Sequence, residues 1–189
     1  MRAAALTLLL ALGAAGESAT GALRERDAEI RAALPPQGSA VTPEVRRRIE
    51  VIVTRAIDLK GMAESALGKH WGQMSESQRK RLLSAFEARF RALTGTELDS
   101  YRSTEIEYQP ERPEDSVVHV PTRVVVKGEP TDITYAMRRE KAGWRIVDIV
   151  VDGVSTVENY RSSFARVIAK DGVEGLIRKL EKAGPARKS

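Results

Sequence analysis

Two histidines, an acidic pair and a serine are the residues of this chain whose types suit catalysis or metal binding. His70 stands beside Trp71 in a helical stretch and His119 among valines in a strand pattern. Neither has a second histidine or a carboxylate at ligand spacing, so each reads as an ordinary surface or packed residue. Glu105 and Glu107 share one strand face about 7 Å apart, a separation compatible with inverting glycoside hydrolysis. The same spacing describes a solvated strand edge, and that reading is adopted. Ser155 lacks the G-x-S-x-G surroundings of a nucleophile elbow, and Glu158 three residues later marks it as a helix cap. The segment DGVEGLIRK lacks the spacing of a phosphate-cradling loop. Arg46, Arg47 and Arg48 read as the solvated side of a helix, with contact to anionic lipid or a partner as the alternative. No catalytic set, metal site or cofactor site emerges.

The chemistry left is that of a binder. At 189 residues the chain is long enough for one domain with a real core. A net charge of +5 suits an anionic partner without choosing among nucleic acid, lipid head groups and acidic protein. The start, MRAAALTLLLALGAAGESA, has one basic residue, an apolar run from Ala3 to Ala15 and small residues around Gly16, the pattern of a cleaved secretory signal. That run is about 13 residues, shorter than the ~20 a membrane-crossing helix needs. The expected organisation is a signal peptide over 1–16, one domain over 17–184 and a polar tail over 185–189. With no cysteine, neither a disulfide framework nor a lipid anchor is available. The expected location is the periplasm, where nucleic acid is not a partner; an aromatic content of 5% also leaves few platforms for stacking bases.

The positioning elements follow from periodicity. Leu23, Ile30 and Leu34 share a face of a charged helix that Pro35 and Pro36 end. Thr42 and Pro43 open a second helix with a stripe of Val45, Ile49, Ile52, Val53 and Ala56, which Gly61 is expected to interrupt. Gly68 signals close packing or a break. Ser75-x-x-Gln78 is a capping box ahead of Leu82, Leu83, Phe86, Phe90 and Leu93, with a wobble expected at Gly95. From Ser103 the period becomes two. Strands are expected around Ile106 and Tyr108, over Val118 to Val126 with a bulge or bend at Pro121, around Ile133 to Met137, and over Trp144 to Val151. QPERPEDS reads as a loop. Strict alternation puts Trp144, Ile146 and Val150 on one face of the last strand and Val147, Ile149 and Val151 on the other, which makes it the best-buried strand. Asp152-Gly153 turns the chain, Ser155-x-x-Glu158 is a second capping box, and Asp171-Gly172 separates two final helices.

Two stretches, MAESALGKHWGQMSESQRKRLLSAFEARFRALTGTELDSY and GWRIVDIVVDGVSTVENYRSSFARVIAKDGVEGLIRKL, resemble the MlaC family of periplasmic phospholipid shuttles. The most specific pieces are Leu67-Gly68 with Trp71, Gln78-Arg79 with Phe86, and the block Trp144, Asp148, Gly153-Val154-Ser155, Asn159-Tyr160-Arg161 and Phe164. The resemblance implies an α+β fold: a curved antiparallel sheet of about four strands, packed by N-terminal and C-terminal helices around an apolar pocket for acyl chains. It implies a phospholipid ligand, no catalytic residues and no cofactor. It also implies two docking partners, an outer-membrane lipoprotein complex and an inner-membrane ABC transporter complex, with the shuttle itself a monomer. On the helices, Leu67, Trp71, Phe86, Phe90, Tyr101, Tyr160 and Phe164 are the expected lipid-binding residues. On the sheet they are Val124, Val126, Ile133, Tyr135, Met137, Ile146 and Val154. The alternatives are a hopanoid-associated carrier of the same family, an enzyme on a similar cone-shaped scaffold, and a protein-interaction module with a filled core.

Overall fold

Short polar side chains begin most of the helices. The computed structural model describes residues 18–94, 98–102, 104–126 and 128–183, so the expected signal peptide, Gly95 and the polar tail lie outside the described residues. Ser18 accepts from the Gly21 N–H at 2.9 Å and opens α1 (Ala19–Ala33). Thr42 accepts from the Val45 N–H at 3.3 Å, with Pro43 in the first turn of α2 (Pro43–Ala56). Ser75 and Gln78 form both halves of their capping box, at 3.0 and 3.2 Å, before α5 (Glu76–Thr94). Gly68, with φ +51°, breaks α3 (Leu59–Leu67) from α4 (Lys69–Gln73). After the short α6 (Leu98–Tyr101) and the sheet comes α7 (Thr156–Ala183), broken at Gly172 where φ is 69°.

Gly61 does not end the second helix. That helix stops at Ala56, and Ile57 forms a parallel bridge to Ile146 while the Asp58 N–H donates to the Ile146 carbonyl at 2.9 Å. Asp58 then caps α3 by accepting from the Gly61 N–H at 2.9 Å and pairs with Arg138 at 3.0 Å. A Cβ at Gly61 would stand 2.1 Å from the Asp58 carboxylate, so the glycine makes room for the cap.

The sheet has more strands than periodicity suggested: β1 (Ile106–Tyr108), β2 (Arg112–Glu114), β3 (Val117–Val126), β4 (Glu129–Glu140), β5 (Gly143–Val151) and β6 (Val154–Ser155). All pairings within it are antiparallel, in the order β1-β3-β4-β5-β6, with β2 sharing the outer edge of β3. The segment expected as a loop contains β2, because Asp115 takes φ 51° and lets Glu114 pair with Val117 in a tight hairpin.

Pro121 neither bulges nor bends the ladder. Its carbonyl accepts from the Gln109 N–H at 2.9 Å, so the missing N–H points to the outer edge between β1 and β2, and pairing with β4 runs unbroken from Val117 to Val126. The bulge sits in β5 instead. Ala136 pairs with Asp148 while Met137 pairs with Ile146, leaving Val147 as the extra residue. Nor is β5 the best-buried strand: only Ile146 in it is buried, whereas Val120, Pro121, Thr122 and Val124 are buried in β3. The reason is position, since β3 has long or paired neighbours on both sides and β5 has only the short β6 and the Ile57 bridge on its outer side.

The main core joins α1, α3, α5 and α7 to one sheet face through Leu23, Met62, Leu67, Phe86, Phe164 and Ile177 on the helices and Val120, Met137 and Ile146 on the strands. A second cluster, Ala33, Ile49, Ile52 and Leu98, ties α1 and α2 to α6.

Candidate functional site

Cross-strand partners share a face, so the register lays out the inner surface of the sheet row by row. Val118, Met137 and Ile146 form one row, and Val120, Tyr135 and Ile149 the next. Tyr108, Thr122, Ile133, Val151 and Val154 form a third, and Ile106, Val124 and Thr131 a fourth. The bulge at Val147 is what brings Ile149 and Val151 onto the face that carries Trp144 and Ile146. Strict alternation therefore misassigns half of β5. The Asp152-Gly153 turn, with φ 48° and 81°, then folds Val154 beside Val151.

The first two rows meet the helices. Beyond them the apolar face continues through Ile133, Val151 and Val154, which belong to neither core cluster. Ile133 is half-buried, Val151 is 39% exposed and Val154 62% exposed. An apolar strip running from the core to solvent across three strands is a surface that a chain-like apolar ligand can cover.

The expected lipid-binding residues do not all lie together. Val124, Ile133, Tyr135, Met137, Ile146 and Val154 share this sheet face. Phe86, Tyr160 and Phe164 form an aromatic group between α5 and α7, with ring centroids 5.0 to 6.3 Å apart. Leu67, Phe86 and Phe164 are buried core residues, with Trp71, Phe90 and Tyr160 packed against the same cluster. Trp71 lies under the Arg79 guanidinium at 5.2 Å. Tyr101 stands apart from these groups and donates to Asp27 Oδ1 at 2.6 Å. Val126 ends β3, and its side chain lies outside the described residues.

Sequence reasoning missed Tyr108, Thr122, Ile149 and Val151 as members of this face. The alternation of β1 and β3 pointed to the first two; no local signal marks the bulge that places the others. It also missed a polar clasp along α1. Asp27 holds Arg31 at 2.9 Å as well as Tyr101, and Arg31 donates to the carbonyls of Tyr101, Arg102 and Thr104 at 3.4, 3.2 and 2.7 Å. Burial first, and then the bond to Asp27, push the Tyr101 hydroxyl well above its usual pKa. The Arg24 guanidinium covers the Tyr108 ring at 4.6 Å. The clasp fastens the chain before β1 against α1.

At the start of α7 the second capping box differs from its expected form. Ser155 Oγ accepts from the Glu158 N–H at 3.0 Å, but Glu158 reaches Arg161 and does not return to Ser155. Asp148 supplies the second acceptor at this helix end instead. Its Oδ1 accepts from the Ile149 and Val157 N–H groups at 2.8 and 3.0 Å, and its Oδ2 accepts from the Ser155 hydroxyl. The serine oxygen is thus engaged on both sides as a structural group.

His119 Nε2 lies 3.0 Å from Glu114 Oε2, on the opposite sheet face. Glu105 and Glu107 are exposed. Among the described residues no three His, Asp or Glu side chains converge as a metal site. Two clefts have charged rims that do not suit an acyl chain. One of about 420 Å³ lies between α5 and α7 beside Arg81 and Glu181, and one of about 440 Å³ lies on the outer face beside His119, Arg138 and Arg161.

The chain is similar to a phospholipid-binding protein from Ralstonia solanacearum, whose structure was solved in complex with a phospholipid. The two superpose with a TM-score of 0.74 at 25% sequence identity, over 89% of this chain and 96% of that one. Both have the same mixed architecture of helices packed on an open, curved antiparallel sheet. The family model described as MlaC protein matches residues 31–182, a span that runs from the end of α1 to the end of α7 and includes every element of the inner face; the chain therefore belongs to the MlaC family.

Proposed function

We propose that this protein is a periplasmic phospholipid carrier, a binder without catalytic chemistry, which holds acyl chains on the inner face of its sheet. The observation that carries the reading is the apolar row Ile133–Val151–Val154, which continues the core surface outward to solvent. It gains support from the family and from the phospholipid held by the similar Ralstonia protein. The charge and the leader-like start fit a soluble monomer moving between an outer-membrane lipoprotein complex and an inner-membrane ABC transporter complex. Among the described residues no helix is long and apolar enough to cross a membrane.

Energetics set how such a carrier works. Burying a 16-carbon acyl chain is worth about 0.8 kcal/mol per methylene, on the order of 13 kcal/mol per chain relative to water. Release into water is therefore very slow. A bilayer or a docked apolar channel solvates the chain equally well, so transfer through contact is nearly isoenergetic. The test is transfer of a self-quenching fluorescent phospholipid from donor to acceptor vesicles. A rate that rises in proportion to added protein is expected, and a rate equal to spontaneous exchange contradicts the carrier role.

A further inference from the structure

Arg47 and Arg48 of α2 are exposed, and neither makes a hydrogen bond or ion pair among the described residues. Helical spacing carries the same face on to Val51, 56% exposed, and to Arg55, whose side chain is 64% exposed and stands 3.7 Å from Glu29. Arg47, Val51 and Arg55 form one outward row about 12 Å long, with Arg48 beside it and Glu44 and Glu50 flanking it. Arg55 also walls a cleft of about 310 Å³ between α1, α2 and the turn from β4 to β5, which Arg26, Trp144 and Arg145 line as well. Arg26 is spent on Glu25 and Glu29. Arg145 pairs with no carboxylate among the described residues; its Nη2 donates to the Ile57 carbonyl at 2.6 Å and its Nε has no acceptor. Arg46 and Arg139, the latter stacked on Trp144, leave the arginines of this region in clear excess over those glutamates.

The partner must be anionic, and the make-up of the face says of what kind. A specific protein interface buries about 800 Å² per partner around an apolar centre. Here Val51 is the one large apolar side chain exposed among the charges of α2. A spread of arginines around a single valine instead matches the head-group layer of an anionic bilayer, where guanidinium groups meet phosphates and a short apolar side chain enters the interface. The cleft lies at the start of β5, about 20 Å along the strand from Val151 and the apolar strip, so contact here leaves that strip free. We propose that the outer face of α2, continued by the cleft at Arg55 and Arg145, docks the protein electrostatically on anionic membrane surfaces. This surface is separate from the face assigned to acyl chains, and docking on it does not require a bound lipid.

The test is co-sedimentation of purified protein with vesicles of phosphatidylcholine alone or with about one-third phosphatidylglycerol. Wild-type protein is expected to bind the anionic vesicles at least about tenfold more tightly than the neutral ones, and to lose most of that binding at about 0.5 M salt. Each arginine near an anionic surface strengthens binding by about fivefold, so Arg47→Gln combined with Arg48→Gln should weaken it about 25-fold and Arg55→Gln about fivefold. Lys170→Gln combined with Lys179→Gln makes the same change in net charge at exposed positions of α7 and should weaken it by less than about twofold. The arginine variants should melt and retain lipid as wild type does. Equal losses in the arginine and lysine variants, or an arginine variant that melts several degrees lower, overturns the proposal. Wild-type binding no stronger to anionic than to neutral vesicles also overturns it, and leaves the face to an acidic protein.

Discussion

Replacing Ile133 by glutamate places a carboxylate at the middle of the apolar strip. Its neighbours on that face, Thr122 and Val151, offer no cation, and the nearby Arg123 is paired with Asp132 on the other face at 2.8 Å. In the lipid-free protein Ile133 is only half-buried and Val151 and Val154 are exposed beside it, so water reaches the new carboxylate and the fold persists. An acyl chain laid over the strip removes that water. The cheapest response is then protonation, which from an ordinary glutamate pKa of about 4.3 costs about 3.7 kcal/mol at pH 7, roughly a 500-fold loss of affinity. The pKa is raised in the bound state, so the penalty is present above the free value, falls by about 1.4 kcal/mol per pH unit on acidification, and vanishes near pH 4. Lipid retained after gel filtration, extracted and quantified by mass spectrometry at pH 7 and pH 4.5, reads both features. Ile133→Gln controls for shape and polarity and should show a smaller, pH-independent loss. Full lipid occupancy of Ile133→Glu at pH 7, or a loss equal at both pH values, refutes placement of the chain on this row.

Ser155→Ala is expected to cost about 1 kcal/mol in denaturant melts while lipid is still held and transferred, since the hydroxyl is a cap; a fully stable but transfer-dead variant contradicts this. Asp148→Ala should cost more, about 2 to 3 kcal/mol, because it strips the acceptor from two backbone N–H groups and the Ser155 hydroxyl together. Gly61→Ala should destabilise by about 1 to 2 kcal/mol by displacing the Asp58 cap, and Asp58→Ala added to it should cost little more; additive costs would show that the two do not share one mechanism. Burial alone would raise the pKa of Glu111, but hydrogen bonding, with the Thr20 N–H donating at 2.6 Å, outweighs it and holds the group below the usual carboxylate range. Its contribution is therefore complete above the ordinary glutamate pKa and lost as pH falls through the depressed value, and Glu111→Gln should flatten the acid limb of the stability curve. An unchanged acid limb counts against that bond.

Features dictated by neighbouring residues are legible in the amino-acid order itself. The Ser75–Gln78 box, the Thr42-Pro43 start, the breaks at Gly68 and Gly172 and the inner positions of β3 and β4 each depend on a few adjacent side chains. What escaped depends on distant ones. Val147 bulges because β5 must pair with β4 while Asp148 turns to cap α7, and nothing in WRIVDIVV announces that requirement. Pro121 reads as a disruption until the gap between β1 and β2 shows where its missing N–H points. β2 and β6 are three and two residues long, too short for a period to register. The candidate face was legible to the same extent: the inner positions of Ile133, Tyr135 and Met137 followed from alternation in β4, whereas those of Ile149 and Val151 needed the bulge and the Asp27 clasp needed tertiary contact between α1 and the chain before β1.

Whether the inner face holds a two-chain lipid is decided by native mass spectrometry of protein purified without detergent from a bacterium with two membranes, followed by organic extraction. One phospholipid per protein chain is expected, released only by solvent or by membranes. Well-folded protein at its bare polypeptide mass, with no lipid in the extract, would contradict the carrier reading.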